Sequence, residues 1–462
     1  MNKLKYIFSL SLFFSLLVGC SSNPQITSEK SISDSRLFQL YIDDDGNLLD
    51  PFSKAVIKNE KKYVTNILKN FEYEKSKNKS LELMVFIHGG LNDFESSTTR
   101  VEEKKDLMLA DKKYPLFISW DSSGGSNYAD HLFQLRRGVK AEYLGPLSSP
   151  FVFIEDMLRS ASRIPASTYN ILIGQNSVPI FLENEEEESA RMNMQRIRSQ
   201  GFTLHDNPND TGHTFWDWWS ILNPIKLVSA PFVDGLGTGA WNSMLRRTDL
   251  VLMKDPGKEN GGFVDTAVTQ FFDRFSETFG ATKKDNIESK GMPVTIIGHS
   301  MGSIVSNNII AKYSNINFNN IVYLAAACRI KDLEYVIAPY LHKNKQSSFY
   351  NLTLNPYRDI SENFAFDFAP RGSLLIWIDT ILGDVNSFQD RTAGFWFNIV
   401  RAAEETFPSE VRSRVHLTQF GVADGSPETH GSFGDYPFWK NSFWKGEHEQ
   451  KPNSESFFSW FF

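Results

Sequence analysis

Residues Val294–Ser303 read Val-Thr-Ile-Ile-Gly-His-Ser-Met-Gly-Ser, and this stretch constrains the fold more than any other. Val294 to Ile297 is strand-forming, while Ile304, Val305, Asn308 and Ile309 recur at helical spacing directly afterwards. Between them, Gly298-His299-Ser300-Met301-Gly302 has the G-x-S-x-G spacing of a sharp strand-to-helix turn. Glycines flank the serine because larger side chains would collide in so tight a bend. The turn holds the Ser300 hydroxyl out at the top of a sheet, away from its own backbone. That is where a nucleophile belongs.

The surrounding chain alternates in the same way. Leu81 to Ile87 predicts a strand ending in His88-Gly89-Gly90-Leu91-Asn92, then a charged helix over 96–113 and a strand over Tyr114–Trp120. Arg36–Ile42 predicts an earlier strand, Asp43–Asn47 a hairpin turn, and Lys54–Phe71 a helix. Phe263–Phe279 carries apolar residues along one helical face, and strands are expected at 321–327, 349–354 and 415–420. Strands alternating with helices make an α/β protein with a mostly parallel sheet. Two stretches interrupt this rhythm, at about 122–254 and 364–410. The first includes Glu183–Arg198, read as a solvated helix, and an aromatic stretch from Phe215 to Leu245. That stretch is either a flap above the site or a helical layer packed on the core.

Composition narrows the partners. Of 462 residues, 41% are hydrophobic and 22% charged, which suits a folded domain; the net charge of −7 and the lack of a concentrated basic face argue against nucleic acid. No metal site is expected: Asp43–Asn47 lacks the later glutamate of a calcium loop, and Glu185–Glu188 read as a solvated helix face. No cofactor motif is present. With 2 cysteines in the chain, and Cys20 committed to the modification described next, Cys328 is left without an intrachain partner and reads as a buried small hydrophobe.

The first residues form a targeting segment. Lys3 and Lys5 precede an apolar run from Tyr6 to Val18, too short to span a bilayer, and Leu17-Val18-Gly19-Cys20 follows. This resembles a bacterial lipoprotein signal. The resemblance implies cleavage after residue 19, a lipidated Cys20, and a tether over 20–35; Ser21 after the cysteine fits lipoproteins of the outer membrane. The main domain is expected over 36–445, with a tail over 446–462.

The matches at His88-Gly89-Gly90, at Gly298–Gly302 and at a late histidine together resemble the α/β-hydrolase superfamily, in particular its lipases and esterases. The resemblance implies a mostly parallel sheet with helices on both faces and a helical cap built from the insertions. It implies Ser300 as nucleophile, with an acid and then a histidine following in chain order. His342, His416, His430 and His448 follow Ser300. His416 falls inside a strand, His342 precedes the acid-bearing strand and His448 lies in a charged tail. His430, in a loop after the last strand, is therefore the expected base. The acid is expected in the loop Asn355–Glu362, as Asp359 or alternatively Glu362, with Asp367, Asp379 and Asp384 behind them. Oxyanion donors are expected from Met301 and from Gly90 or Leu91, with His88 and Gly89 supporting that loop. The expected activity is hydrolysis of carboxylic esters or lipids at a bacterial envelope. A phospholipase or acyltransferase of the same fold, or a non-catalytic envelope lipoprotein, are the alternatives. Oligomeric state is not legible.

Overall fold

The apolar runs Leu83–Ile87, Leu116–Ile118, Val294–Ile297 and Ile321–Leu324 lie side by side, buried on both faces, as strands at the centre of a parallel sheet must be. The computed structural model describes residues 35–447 except 91, 137–138, 142, 173–191, 193, 206–223, 255–263, 285–286, 290, 363–368 and 422–424. The lipoprotein signal with Cys20, the aromatic run Phe215–Trp219 and the tail beyond 447 therefore lie outside the described residues.

The main sheet has nine strands, numbered here in chain order: β1 (Gln39–Ile42), β2 (Leu48–Leu49), β3 (Glu82–Ile87), β4 (Lys113–Trp120), β5 (Thr203–His205), β6 (Pro293–His299), β7 (Asn317–Leu324), β8 (Ser348–Thr353) and β9 (Val415–Gln419). Across the sheet they run β2-β1-β4-β3-β6-β7-β8-β9-β5. Every neighbouring pair is parallel except the β1–β2 hairpin. The turn of that hairpin is built by Asp43, whose carboxylate accepts from the Asn47 and Asp45 amides at 2.7 and 2.9 Å.

The helices follow from their caps and faces. α1 (Glu60–Lys77) starts at Asn59, whose side chain accepts from Lys62 N, and α2 (Phe94–Ala110) starts in the same way at Asp93. α3 (Gly124–Phe133), α4 (Leu144–Leu172) and α5 (Pro224–Leu250) come from the first insertion. α6 (Ala267–Phe279) buries Phe271, Phe272 and Phe275 and meets Phe71 of α1 edge-on and tilted. α7 (Gly302–Lys312) follows the turn after β6, α8 (Pro356–Ser361) follows β8, and α9 (Trp396–Thr406) closes the second insertion.

Two expectations change. The first insertion is not only a cap: it crosses the molecule to add β5 as an edge strand beside β9. A three-residue strand carries too little periodicity to be read locally, and its pairing partner lies more than two hundred residues away. Asp359, expected in a loop, sits in the short helix α8, because Asn355 caps Pro356 and Tyr357 into a helical turn.

Candidate active site

Ser300 stands between β6 and α7 with φ of 49°, a left-handed conformation that a non-glycine residue adopts at a cost. Its neighbours hold it there. Ser300 N donates to Leu324 O at 2.8 Å, and Ser300 O accepts from Ala327 N at 3.0 Å and from Ser303 Oγ at 2.6 Å. A Cβ on Gly302 would lie 2.2 Å from Ile87 O, so only glycine lets α7 start this close to β3. Gly89 approaches as closely from the other side: a Cβ there would lie 2.8 Å from Ser300 Cβ.

His430 Nε2 is 2.8 Å from Ser300 Oγ. The hydroxyl donates to that nitrogen when the neutral imidazole carries its proton on Nδ1. Both backbone groups of His430 are also held. Its N–H donates to Glu362 Oε2 at 2.9 Å, and its carbonyl accepts from His299 Nε2 at 2.9 Å. Burial, with the neighbouring His299 ring, pushes the His430 imidazole down to about 3, so it stands neutral, with no carboxylate among the described residues beside it to favour the protonated form. Burial likewise holds His299 at about 4. Nδ1 of His430 is buried and has no hydrogen-bond partner among the described residues.

The carboxylates differ in their commitments. Asp359 is fully buried and neither of its oxygens has a hydrogen-bond partner among the described residues. Burial raises its carboxyl well above the usual range; Ser373, close by but outside hydrogen-bond geometry, offsets part of this, and Glu362 and Asp379 add to it. Burial raises Glu362 to about 7, offset in part by the His430 amide. Asp379 is occupied elsewhere, accepting from Thr392 N at 2.8 Å, Thr392 Oγ1 at 3.2 Å and Asn398 Nδ2 at 2.6 Å. It braces the second insertion. Asp367 lies outside the described residues. Neither Asp359 nor Glu362 hydrogen-bonds His430 Nδ1.

The loop after β3 is fixed by two side chains. His88 Nδ1 donates to Gly89 O at 2.6 Å and Nε2 accepts from Trp120 N at 2.9 Å, while its ring stacks on Trp120 at 4.3 Å. Burial pushes this histidine down to about 3, so it serves as a neutral brace. Asn92 Nδ2 donates to Gly89 O at 3.0 Å and to Gly90 O at 3.2 Å, and Arg100 Nη2 donates to Asn92 Oδ1 at 3.1 Å. Because a trans peptide is planar, with N–H and C=O opposed, fixing the Gly89 carbonyl also fixes the direction of the Gly90 N–H. Leu91 lies outside the described residues. Met301, fully buried, occupies the N-cap position of α7, and its sulfur lines the surroundings of Gly90 together with Met244 of α5.

The structure thus brings Ser300, His430, Glu362, Gly89, Gly90 and His88 together at the carboxyl end of the sheet. His416 is elsewhere, stacked on Tyr350 within β9. His342 lies in the helix Ala338–Lys343. Cys328 is buried, its amide held by Ser303 Oγ at 3.0 Å and its thiol pushed up by burial. Among the described residues no group of three His, Cys, Asp or Glu could hold a metal ion. Two roles escape a sequence reading, those of His299 and Asn92. An asparagine two residues after a glycine pair is a signal for a side chain that returns to its own loop. The position of His299 inside the motif carries no such signal. Comparison with protein-family models, with curated proteins and with solved structures finds no match.

Proposed function

We propose that the chain is a serine carboxylic-ester hydrolase of the α/β-hydrolase type, esterase- or lipase-like. Cys20, when lipidated, would hold it at the bacterial envelope, on the outer membrane. The observation that carries the reading is the left-handed Ser300, at a strand-to-helix turn, with His430 Nε2 2.8 Å from its Oγ. A serine hydroxyl is a weak nucleophile without an adjacent base, and this contact supplies one. His430 takes the proton as Ser300 Oγ attacks the ester carbonyl, then returns it to the departing alcohol. Water repeats the sequence on the acyl-enzyme. The Met301 and Gly90 N–H groups are the donors we assign to the oxyanion.

We assign Asp359 to His430 Nδ1. Among the described residues each is buried without a partner, a state costing about 1–3 kcal/mol per group, and pairing relieves both. Glu362 already gives an oxygen to the His430 amide and acts as the support for that backbone. The order Ser300, Asp359, His430 along the chain agrees with this fold type.

Steady-state hydrolysis of a short p-nitrophenyl ester tests the reading. Ser300→Ala should abolish turnover and labelling by a fluorophosphonate; unchanged hydrolysis would sink it. Asp359→Asn should lower kcat by about 10⁴-fold, as loss of the triad acid does. Glu362→Gln keeps an acceptor for the His430 amide and should cost far less. The reverse ranking would move the acid role to Glu362. Adding alcohols or lysolipids as competing acceptors separates hydrolysis from acyl transfer.

A further inference from the structure

α4 is turned inside out. Its buried positions are small or polar: Gly145, Ser149, Asp156 and Ser160. Five of its large apolar residues, Leu144, Leu147, Phe151, Ile154 and Leu158, are between 54% and 75% exposed. These five recur at i, i+3, i+7, i+10 and i+14, a single stripe about 20 Å long on the face opposite the buried one. Of the charged residues around it, Glu155 stands exposed at the margin, while Asp156 is buried and accepts from Tyr128 Oη at 3.0 Å, and Arg163 reaches Asp234.

The inner face explains how the inversion is built. A Cβ on Gly235 of α5 would lie 1.8 Å from Ser160 Oγ and 2.5 Å from Asp156 O, so the two helices touch backbone to backbone. Small residues between helices and large apolar residues outside is the arrangement of helices that face lipid. In water it leaves a contiguous exposed apolar patch of the kind that often marks an interaction site.

We propose that the Leu144–Leu158 face of α4 lies in the interfacial layer of a lipid bilayer. Among the described residues no helix is long and apolar enough to cross a membrane, so the mode is docking in the plane of the surface. Two further observations commit the face to lipid. The stripe holds only Leu, Ile and Phe, three of the five being Leu, whereas the hot spots of protein interfaces are Trp, Tyr and Arg, with Leu under-represented. The 15 residue-to-residue steps from the lipobox Cys20 to Ser35 reach at most about 50 Å, which keeps the domain beside the bilayer if that cysteine is lipidated. Near the start of α4, Lys140 pairs with Asp44 at 2.8 Å, which ties this region to the hairpin that follows the tether. Since α5 also carries Met244, next to Gly90, docking through α4 brings the carboxyl end of the sheet toward the lipid. The proposal goes beyond ester hydrolysis and does not depend on it; it uses the Cys20 reading only for proximity.

The test uses the full chain with Phe151→Cys carrying an environment-sensitive nitrobenzoxadiazole label, Cys328 being buried. Glu72→Cys on exposed α1 is the control, and the unsubstituted protein gives the labelling background. Vesicles of phosphatidylethanolamine and phosphatidylglycerol, with and without doxyl-labelled acyl chains, are added. The expected result is a blue shift at position 151 and doxyl quenching at least fivefold that at position 72. Equal quenching of both positions by aqueous iodide in the presence of vesicles overturns the proposal. So does shielding of position 151 from iodide without vesicles. If that shielding survives dilution, another part of this chain covers the stripe; if dilution removes it, a second copy does. Neither outcome depends on esterase activity, so failure here and failure of the Ser300 reading remain distinguishable.

Discussion

At the scale of single residues, the site depends on side chains that hold other groups' backbones. Asn92 is the clearest case, because its amide donates to two successive carbonyls of the loop beside Ser300. Asn92→Ala should take the side-chain donor from the Gly90 carbonyl and one donor from the Gly89 carbonyl, which keeps His88 Nδ1 and Ser122 Oγ, and so loosen the direction of the Gly90 N–H. The expected loss is about 100-fold in kcat with KM little changed, the mark of an interaction realised in the transition state. Asn92→Asp should not rescue activity, because a carboxylate has no N–H to give. Kinetics on a water-soluble ester check this, and a change confined to KM would contradict it. His299 and Glu362 do for His430 what Asn92 does for the loop, one on each side of its backbone. Motif spacing singled out the proposed nucleophile, Ser300. It could not identify His299 or Glu362 as supports, because their partners lie 131 and 68 residues away in sequence.

At the scale of elements, β6, the turn and α7 are a local unit, and their residues specify them without outside help. α4 and α5 are the opposite case. Pro150 and Pro165 lie within α4 and Pro231 within α5, which breaks the pattern a sequence reading looks for. The two stand as long helices because they pack against each other and α3, through Gly235 and through the buried pairing of Arg247 with Asp130. Gly235→Leu should therefore force the pair apart, with overpacking costing about 1–3 kcal/mol. A lowered urea midpoint would report it; an unchanged midpoint would mean the helices do not approach as closely as described.

At the scale of the whole molecule, two sets of buried titratable groups oppose each other. His88 and His430 are depressed to about 3, and His299 and His416 to about 4, from an ordinary 6.5. Their neutral forms contribute stability present above pH 6.5 and lost as pH falls through 4 to 3, since the unfolded chain takes up protons first. Glu362 and Asp379 are raised to about 7 and 6, so their contribution is present below about 4 and lost as pH rises through 6 to 7. Between roughly 6.5 and 4.5 the two carboxyls offset only part of the loss from the four histidines, and below that only the histidines act. Denaturant titrations across this range should show a gradual fall down to about pH 4.5 and the steepest fall just beneath it. The steepest loss occurring between 6.5 and 5.5 would contradict these burials.

The sequence by itself determined the α/β alternation, the parallel centre of the sheet and the serine at its turn. Each of these is written in short-range periodicity and in the steric demands of a bend. The order of elements also singled out His430 among the later histidines, and it is the one that lies 2.8 Å from Ser300 Oγ. Only the tertiary structure decided that Asp379 is spent on Thr392 and Asn398, and that Thr203–His205 joins the far edge of the sheet. It also decided which face of α4 turns outward. Periodicity can show that a helix has two unlike faces. Which of them meets protein depends on a neighbour, here Gly235, that the helix does not contain.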